Sequence, residues 1–374
     1  MEGILFPDDF KCPISLEIMS DPVILTSGQT FDRASIQRWL DSGNRTCPVT
    51  KLPLPPHPPL IPNHALRNLI SNFAPTTSAP YLPLSLRQTL VSNLSFPSNF
   101  QTLTQIRQVS KKDAAFRRYL SESGAVSILL RHVGTESGTP PELQELALRI
   151  LLDVSLDGDD VKVGLVVDGA VGRIVSAIVN ATTSSSSRAL AATTLTSLAM
   201  ADVNKCTIGA HPSAIAGLVA VLIEGRGRER SEAATALYVL CSFPENRKRT
   251  VRVGAVPVLV ELAVSGLERA VEVLGQLGKC MEGRDAMKAS GVVSAMATVL
   301  RKGKPRSVEH ALFVINLVCD DDDGEEIQIQ VWKEGILDTS MGLIGEDDNG
   351  GNIGKNAARL VDTLQRKGFE SLLL

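Results

Sequence analysis

One small unit recurs along most of this chain and restricts its fold more than any other feature. It reads Gly124-Ala125-Val126, Gly169-Ala170-Val171, Gly254-Ala255-Val256, Gly291-Val292-Val293 and Gly335-Ile336-Leu337, with Ser213-Ala214-Ile215 taking the same place without the glycine. The steps between units are 45, 44, 41, 37 and 44 residues. Apolar helical segments at 147–152, 191–198, 233–240, 271–277 and 311–318 precede the successive units. Polar or glycine-rich breaks fall at 138–141, 182–187, 225–230, 303–305 and 347–352. One such unit cannot bury its apolar face alone, whereas a stack of them can. The period therefore predicts an α-solenoid with two or three helices per repeat.

At 374 residues the chain exceeds one ordinary core. Aromatics make up 4% of it, which suits closely packed helices and argues against stacking on single-stranded nucleic acid. A net charge of -3 gives no global attraction for nucleic acid either. The start is acidic with no apolar core behind it, unlike a secretory signal. The longest apolar run, 215–223, is far below the ~20 residues a membrane span needs. Six cysteines in this length are no disulfide framework, so a reducing compartment is expected, the cytoplasm first and the nucleus second. Cys241, Cys280 and Cys319, each 39 residues apart, read as equivalent buried positions of stacked repeats. Residues 320–326 form an acidic run that reads as a solvated loop. Arg226, Arg228 and Arg230 with Arg247, Lys248, Arg249 and Arg252 form the most basic zone, either a solvated face or a dock for an acidic target.

The first stretch, residues 10–73, has a different texture. Val23-Ile24-Leu25 and Gln29-Thr30-Phe31 flank a turn at Ser27-Gly28 and predict a hairpin. Asp32 is placed to cap a helix carrying Ile36, Trp39 and Leu40 on one face, and Gly43 to end it. After a proline-rich loop, Asn63 is placed to cap a last helix with Leu66, Leu69, Ile70 and Phe73 on one side. Two tetrahedral zinc sites need eight ligands in closely spaced pairs. The stretch offers Cys12, Cys47, His57 and His64 and no Cys-x-x-Cys pair, which argues against a metal. A catalytic thiolate needs an activating histidine or cationic site; Cys12 lies between Lys11 and Pro13 in a segment that reads as structural, and nothing places His57 or His64 against it.

In order, the stretch reads Phe10-x-Cys12-Pro13-Ile14-Ser15, Met19-x-Asp21-Pro22-Val23, Gly28-x-Thr30-Phe31-Asp32-Arg33, Ile36-x-x-Trp39-Leu40, Cys47-Pro48-x-Thr50 and Leu60-Ile61-Pro62-Asn63. This set resembles a U-box, the zinc-free relative of the RING finger, over residues 6–76. Residues 77–83 read as a linker, and 84–374 resemble armadillo repeats. The layout is that of the plant U-box ubiquitin ligases. The fold class expected is therefore mostly α, a small α+β U-box followed by an armadillo solenoid.

The resemblance implies a ubiquitin transferase with no catalytic cysteine, no metal and no cofactor. Its partners would be a ubiquitin-conjugating enzyme, ubiquitin, and a protein substrate on the armadillo groove. The U-box would hold the loaded conjugating enzyme in an attack-ready pose, so the gain is orientation and not acid–base work. By position the resemblance places Ile14 and Leu16 in the first binding loop, Trp39 on the central helix, and Pro48 in the second loop. For Trp39 contact is the favoured reading, with core, through Ile36 and Leu40, as the alternative. Many active members carry an arginine where this chain has Lys51, which lacks the planar fork. Glu17 and Asp21 are candidates for the polar network that replaces zinc, or plain surface carboxylates. A non-catalytic armadillo adaptor with a weak U-box is the alternative.

Overall fold

The computed structural model describes residues 7–73, 82–94, 99–134, 139–320, 325–346 and 351–366. Residues 77–81 of the expected linker and 321–324 of the acidic run lie outside them. So do residue 138 of the first expected break and 347–350 of the last. The chain divides into two compact units, Met1–Tyr81 and Leu82–Leu374.

In the first unit β1 (Pro22–Ile24) and β2 (Thr30–Asp32) form the hairpin, with Ile24 opposite Thr30 and Gly28 at φ 77° in the turn. That left-handed position is one glycine adopts without strain. Asp32 caps α1 (Arg33–Asp41) by accepting from Ala34 N–H. The proline-rich loop ends in β3 (Ile61–Pro62), a third strand on the other edge of β1. Its two residues are too short a run to signal a strand in sequence. Asn63 Oδ1 accepts from Leu66 N–H at the start of α2 (His64–Phe73). Leu66 and Ile70 of α2 pack inward, whereas Leu69 is exposed; the Phe73 side chain lies outside the described residues. A core of Phe10, Cys12, Val23, Leu25, Phe31, Ile36 and Cys47 holds these elements.

The second unit opens with α3 (Leu84–Ser92) and α4 (Phe100–Ser110), and three-helix repeats follow. The first helices are α5 (Ala114–Glu122), α8 (Asp159–Val167), α11 (Asp202–Ala210), α14 (Pro244–Arg252), α17 (Met281–Ala289) and α20 (Glu325–Lys333). The second are α6 (Ala125–Val133), α9 (Ala170–Val179), α12 (Ala214–Glu224), α15 (Ala255–Val264), α18 (Val292–Lys302) and α21 (Ile336–Glu346). The third are α7 (Pro141–Val154), α10 (Ser185–Ala199), α13 (Arg228–Leu240), α16 (Glu268–Leu277), α19 (Pro305–Cys319) and α22 (Asn352–Arg366). Second helices stack on second and third on third in unbroken ladders, sharing one apolar core. The recurring glycine sits where first helix turns into second. Gly124, Gly169, Gly254, Gly291 and Gly335 all have φ between 67° and 87°. Ser213 instead has φ -106° behind His211-Pro212, so that repeat turns by another route and needs no glycine.

Two positions of the first helix tie each repeat to its neighbours. The third residue points inward: Phe116, Val161, Asn204, Asn246, Gly283 and Ile327 are all buried. The fourth is a cation in five successive repeats, Arg117, Lys162, Lys205, Arg247 and Arg284. Three of these donate to carbonyls at the C-terminal end of the preceding third helix, Arg117 to Ser110 O, Arg247 to Cys241 O and Arg284 to Gly278 O. A cation there meets the negative end of the helix dipole and satisfies unpaired carbonyls. The expected basic zone thus divides. Arg247 and Arg249 are used inside the stack and Lys248 pairs with Glu282, while Arg226 lies between α12 and α13 and Arg228 and Arg230 stand in the first turn of α13.

The cysteine reading holds at two places of three. Cys241 and Cys319 are fully buried, one residue beyond Leu240 and Val318, and burial pushes the Cys241 thiol up to about 12. Cys280 is only half-buried: the equivalent place after Leu277 belongs to Gly278, and the shorter α16 carries Cys280 two residues past it.

Buried Asn246 Nδ2 donates to two carbonyls of the preceding repeat, Leu240 O at the end of α13 at 3.0 Å and Lys205 O of α11 at 2.8 Å. Asn246→Ala removes both bonds between the repeats and leaves Leu240 O only the Phe243 N–H, an expected loss of about 1–3 kcal/mol of stability measured by denaturant unfolding. A change under ~0.5 kcal/mol would mean that water fills the gap.

Candidate binding site on the first unit

The two loops that carry Cys12 and Cys47 are built alike. Cys12 N–H donates to Glu17 O and Leu16 N–H to Cys12 O, both at 2.8 Å. Thirty-five residues on, Cys47 N–H donates to Leu52 O at 2.8 Å and Lys51 N–H to Cys47 O at 3.0 Å. Ser15 and Thr50 hydroxyls accept from Glu17 and Leu52 N–H in the same way, each at 3.4 Å. Leu16 and Lys51, at φ 61° and 59°, are the described non-glycine residues with left-handed backbone. Such a conformation costs an ordinary residue ~1 kcal/mol or more and persists only where its surroundings impose it. The repeat of Cys-Pro-x-Ser/Thr was the sequence signal for this pairing.

The cysteines anchor these loops from within. Both are fully buried. Cys12 Sγ accepts from Asp32 N–H at 3.3 Å, and Cys47 Sγ from the Ser27 hydroxyl at 3.2 Å. Burial acts to raise both thiols, but these bonds and those from the loop backbone outweigh it and hold each below the usual thiol range. Among the described residues no group of His, Cys, Asp or Glu is arranged to hold a metal ion.

Polar contacts join the loops to the sheet and helices. Asp32 Oδ2 accepts from Ser20 N–H, the Ser20 hydroxyl and Asp21 N–H at 2.8–3.0 Å, while Oδ1 caps α1. Burial acts to raise this carboxyl, yet the bonds from Asp21, Ser20 and Ala34 together hold it below the usual carboxylate range. Asp21 pairs with Arg33 at 2.7 Å and with Arg67 of α2, and its carboxyl is lowered first by the Arg33 bond. Asp21 therefore sits in the network, as expected. Glu17 does not: its side chain is exposed with no hydrogen bond among the described residues, and only its backbone is used. Asp32, read from sequence only as a helix cap, is the centre of the network. Its second oxygen meets residues twelve and eleven positions earlier, a contact no local pattern reveals.

The remaining expected positions lie on the surface between the loops and α1. Ile14 and Trp39 are half-buried and line a shallow depression with Ser15, Ser35, Arg38 and Ser42. Trp39 is both core and surface: its ring packs on the core and its Nε1–H donates to Thr46 O at 2.9 Å. Leu16 is 74% exposed. Pro48 is half-buried, and its carbonyl takes the Lys51 ammonium at 2.8 Å, so Lys51 folds back onto its own loop. Val49 and Leu52, not singled out in the sequence, stand exposed on the second loop. Their signal was available: Val49 is the counterpart of Ile14 in the doubled loop. Exposed apolar side chains held on strained loops around a shallow depression fit the docking of another protein.

A small zinc-free α+β module of paired loops, followed in the chain by three-helix repeats, defines a U-box protein with armadillo repeats. The U-box domain family matches residues 6–78, and the plant U-box protein ARM repeat region matches residues 86–320. The chain belongs to the plant U-box proteins with armadillo repeats. It is 51% identical to U-box domain-containing protein 8 of Arabidopsis thaliana, over 96% of this chain and 97% of that one. It is 30% identical to U-box domain-containing protein 9 of the same plant, over 98% and 81%. A further relative, 29% identical over 80% of this chain and 78% of that one, is E3 ubiquitin-protein ligase PUB23, also of Arabidopsis thaliana. Among solved structures an engineered protein aligns with a TM-score of 0.64 at 21% identity, over 74% of this chain and 68% of that one, a likeness of fold. No single helix among the described residues is long and apolar enough to cross a membrane.

Proposed function

We propose that this chain is a ubiquitin-protein ligase. Its first unit grips a ubiquitin-loaded conjugating enzyme through Ile14, Leu16, Trp39 and Pro48, and its repeats bind the substrate. The observation that carries this reading is the pair of like-built loops that present Leu16, Val49 and Leu52 beside the Ile14–Trp39 depression. No side chain there is arranged as a nucleophile, since Cys12 and Cys47 are enclosed. The chemistry then resides in the thioester of the conjugating enzyme. The U-box contributes restricted freedom and alignment for attack by a substrate lysine. Incubating the full chain with ubiquitin, activating enzyme and a panel of conjugating enzymes tests the reading. Ubiquitin chains are expected with at least one of them, and folded protein that yields none with any would refute it.

The adaptor reading draws on one observation. The Lys51 ammonium is occupied by Pro48 O, and lysine offers a point charge where arginine offers a fork. If transfer uses this position, Lys51→Arg raises the rate of chain formation by about 1 kcal/mol of transition-state stabilisation, roughly fivefold. A rate unchanged by Lys51→Arg would take Lys51 out of the transfer step.

A further inference from the structure

The third-helix ladder carries a cluster whose charges do not cancel. Glu272 of α16 is buried, with a side chain 3% exposed, and receives two guanidiniums. Arg269 reaches it from one turn earlier, and Arg306 comes from α19, its Nε 2.8 Å from one carboxylate oxygen and its Nη2 3.3 Å from the other. The neighbouring acids are already engaged: Glu268 with Lys304, Glu229 with Arg188, and Glu232 with Arg228. Two cations on one carboxylate leave a local excess of positive charge, and the Arg306 side chain remains 60% exposed.

Aromatic rings flank this charge. The Arg269 guanidinium lies 5.0 Å from the centroid of the Tyr238 ring on α13. Phe313 of α19 lies against Gly275, where an added Cβ would stand 3.2 Å from the ring. Counting two residues back from Leu240, Leu277 and Val318, the same place in three successive third helices holds Tyr238, Gly275 and Asn316. Gly275 is buried and the Phe313 ring fills the space a side chain there would take, so the half-buried Tyr238 and Phe313 rings form a step beside the charge.

We propose that this step is a recognition point for an acidic segment of a partner protein. A glutamate or aspartate of that segment meets Arg269 and Arg306, and an adjacent apolar side chain rests against the exposed parts of the half-buried Tyr238 and Phe313 rings. The chemistry selects the occupant: a carboxylate cancels the excess charge, an apolar neighbour covers ring surface, and a basic segment is repelled. This deepens the ligase reading by naming a substrate class, and it rests on that reading only for what becomes of the bound segment.

The test uses the full chain and three fluorescent peptides of equal length, alternating leucine with glutamate, with lysine or with serine, followed by anisotropy at low and high salt. Only the glutamate peptide is expected to bind, less tightly as salt rises. Removing the whole cluster at once, Arg269→Gln with Glu272→Gln and Arg306→Gln, avoids stranding a buried charge and is expected to weaken binding about tenfold or more. Tyr238→Leu leaves the ion cluster intact and is expected to weaken it a few-fold, about the worth of a ring contact; it decides the matter if the triple variant does not fold. The proposal is overturned if the glutamate peptide binds no better than its lysine counterpart, or binds a folded triple variant or Tyr238→Leu as tightly as the parent. Ubiquitin chain formation in the same preparations separates the two ideas. Peptide binding without chains sinks the ligase reading and keeps the site, and chains without peptide selectivity do the reverse.

Discussion

Ile14→Ala is expected to abolish most ubiquitin transfer while leaving the first unit folded. Ile14 is half-buried at the edge of the core and lines the depression with Trp39, so alanine removes the apolar body that a partner would cover. Truncating a central apolar contact of a small interface costs ~2 kcal/mol or more, about a thirtyfold loss of affinity. The hydrogen bonds that shape the loop run through the backbones of Cys12, Leu16 and Glu17 and do not involve the Ile14 side chain. Circular dichroism and the unfolding midpoint should therefore move little. The measurement is conjugating-enzyme affinity by calorimetry together with the rate of chain formation. Undiminished affinity in a folded Ile14→Ala protein would remove this surface from the recruitment step.

Asp32→Ala is expected to have the largest effect on the stability of the first unit. Its carboxylate takes four donors from three places in the chain: Ser20 twice, Asp21, and Ala34 at the start of α1. Hydrogen bonds to a charged acceptor are each stronger than neutral ones, and losing this set costs about 3 kcal/mol after partial compensation by water. The unit's acid sensitivity follows from the same contacts. The folded-state carboxyl lies below its unfolded value, so its contribution is complete above the unfolded carboxylate range near pH 4 and is lost as pH falls through the folded value. Urea unfolding of the parent should therefore show the midpoint dropping below about pH 4, and the Asp32→Ala curve should lose that part of the slope. A chelator should move neither curve, because hydrogen bonds to Cys12, Cys47 and Asp32 join the parts that metals join in zinc modules. An unaltered midpoint in Asp32→Ala would assign the cohesion of this unit to its apolar core alone.

Much of this protein is written in local patterns. The hairpin across Gly28, the caps at Asp32 and Asn63, and the glycine-headed second helices all depend on residues within a few positions of one another. Such signals survive in sequence because turn and cap chemistry is local. The helical period similarly exposes the ladders, since each repeat must present an apolar face to the next. Where the pattern failed, a distant partner decided. Glu17 and Asp21 look alike in sequence, yet only Asp21 is reached by Arg33 and by Arg67 from the last helix. Cys280 keeps the 39-residue spacing of its neighbours but misses the buried place, because α16 is shorter than the third helices on either side. Leu69 falls on the expected face of α2 and still stands in water, because no described element of the small first unit lies over it.

The sequence by itself determined that this chain joins a small α+β module to a helical stack, because both follow from residue types at short, regular spacing. It also put Ile14 and Leu16 in one loop, Pro48 in its counterpart and Trp39 on the helix between them. Only the tertiary structure decided what each side chain does there. Leu16 and Lys51 are forced into left-handed backbone by two loops that close in the same way thirty-five residues apart. Lys51 spends its ammonium on Pro48 of its own loop, Asp32 reaches back to Ser20 and Asp21, and Arg306 crosses from one repeat to the buried Glu272 of another. The last two are contacts between segments far apart in the chain, and their geometry exists only once the backbone has brought those segments together.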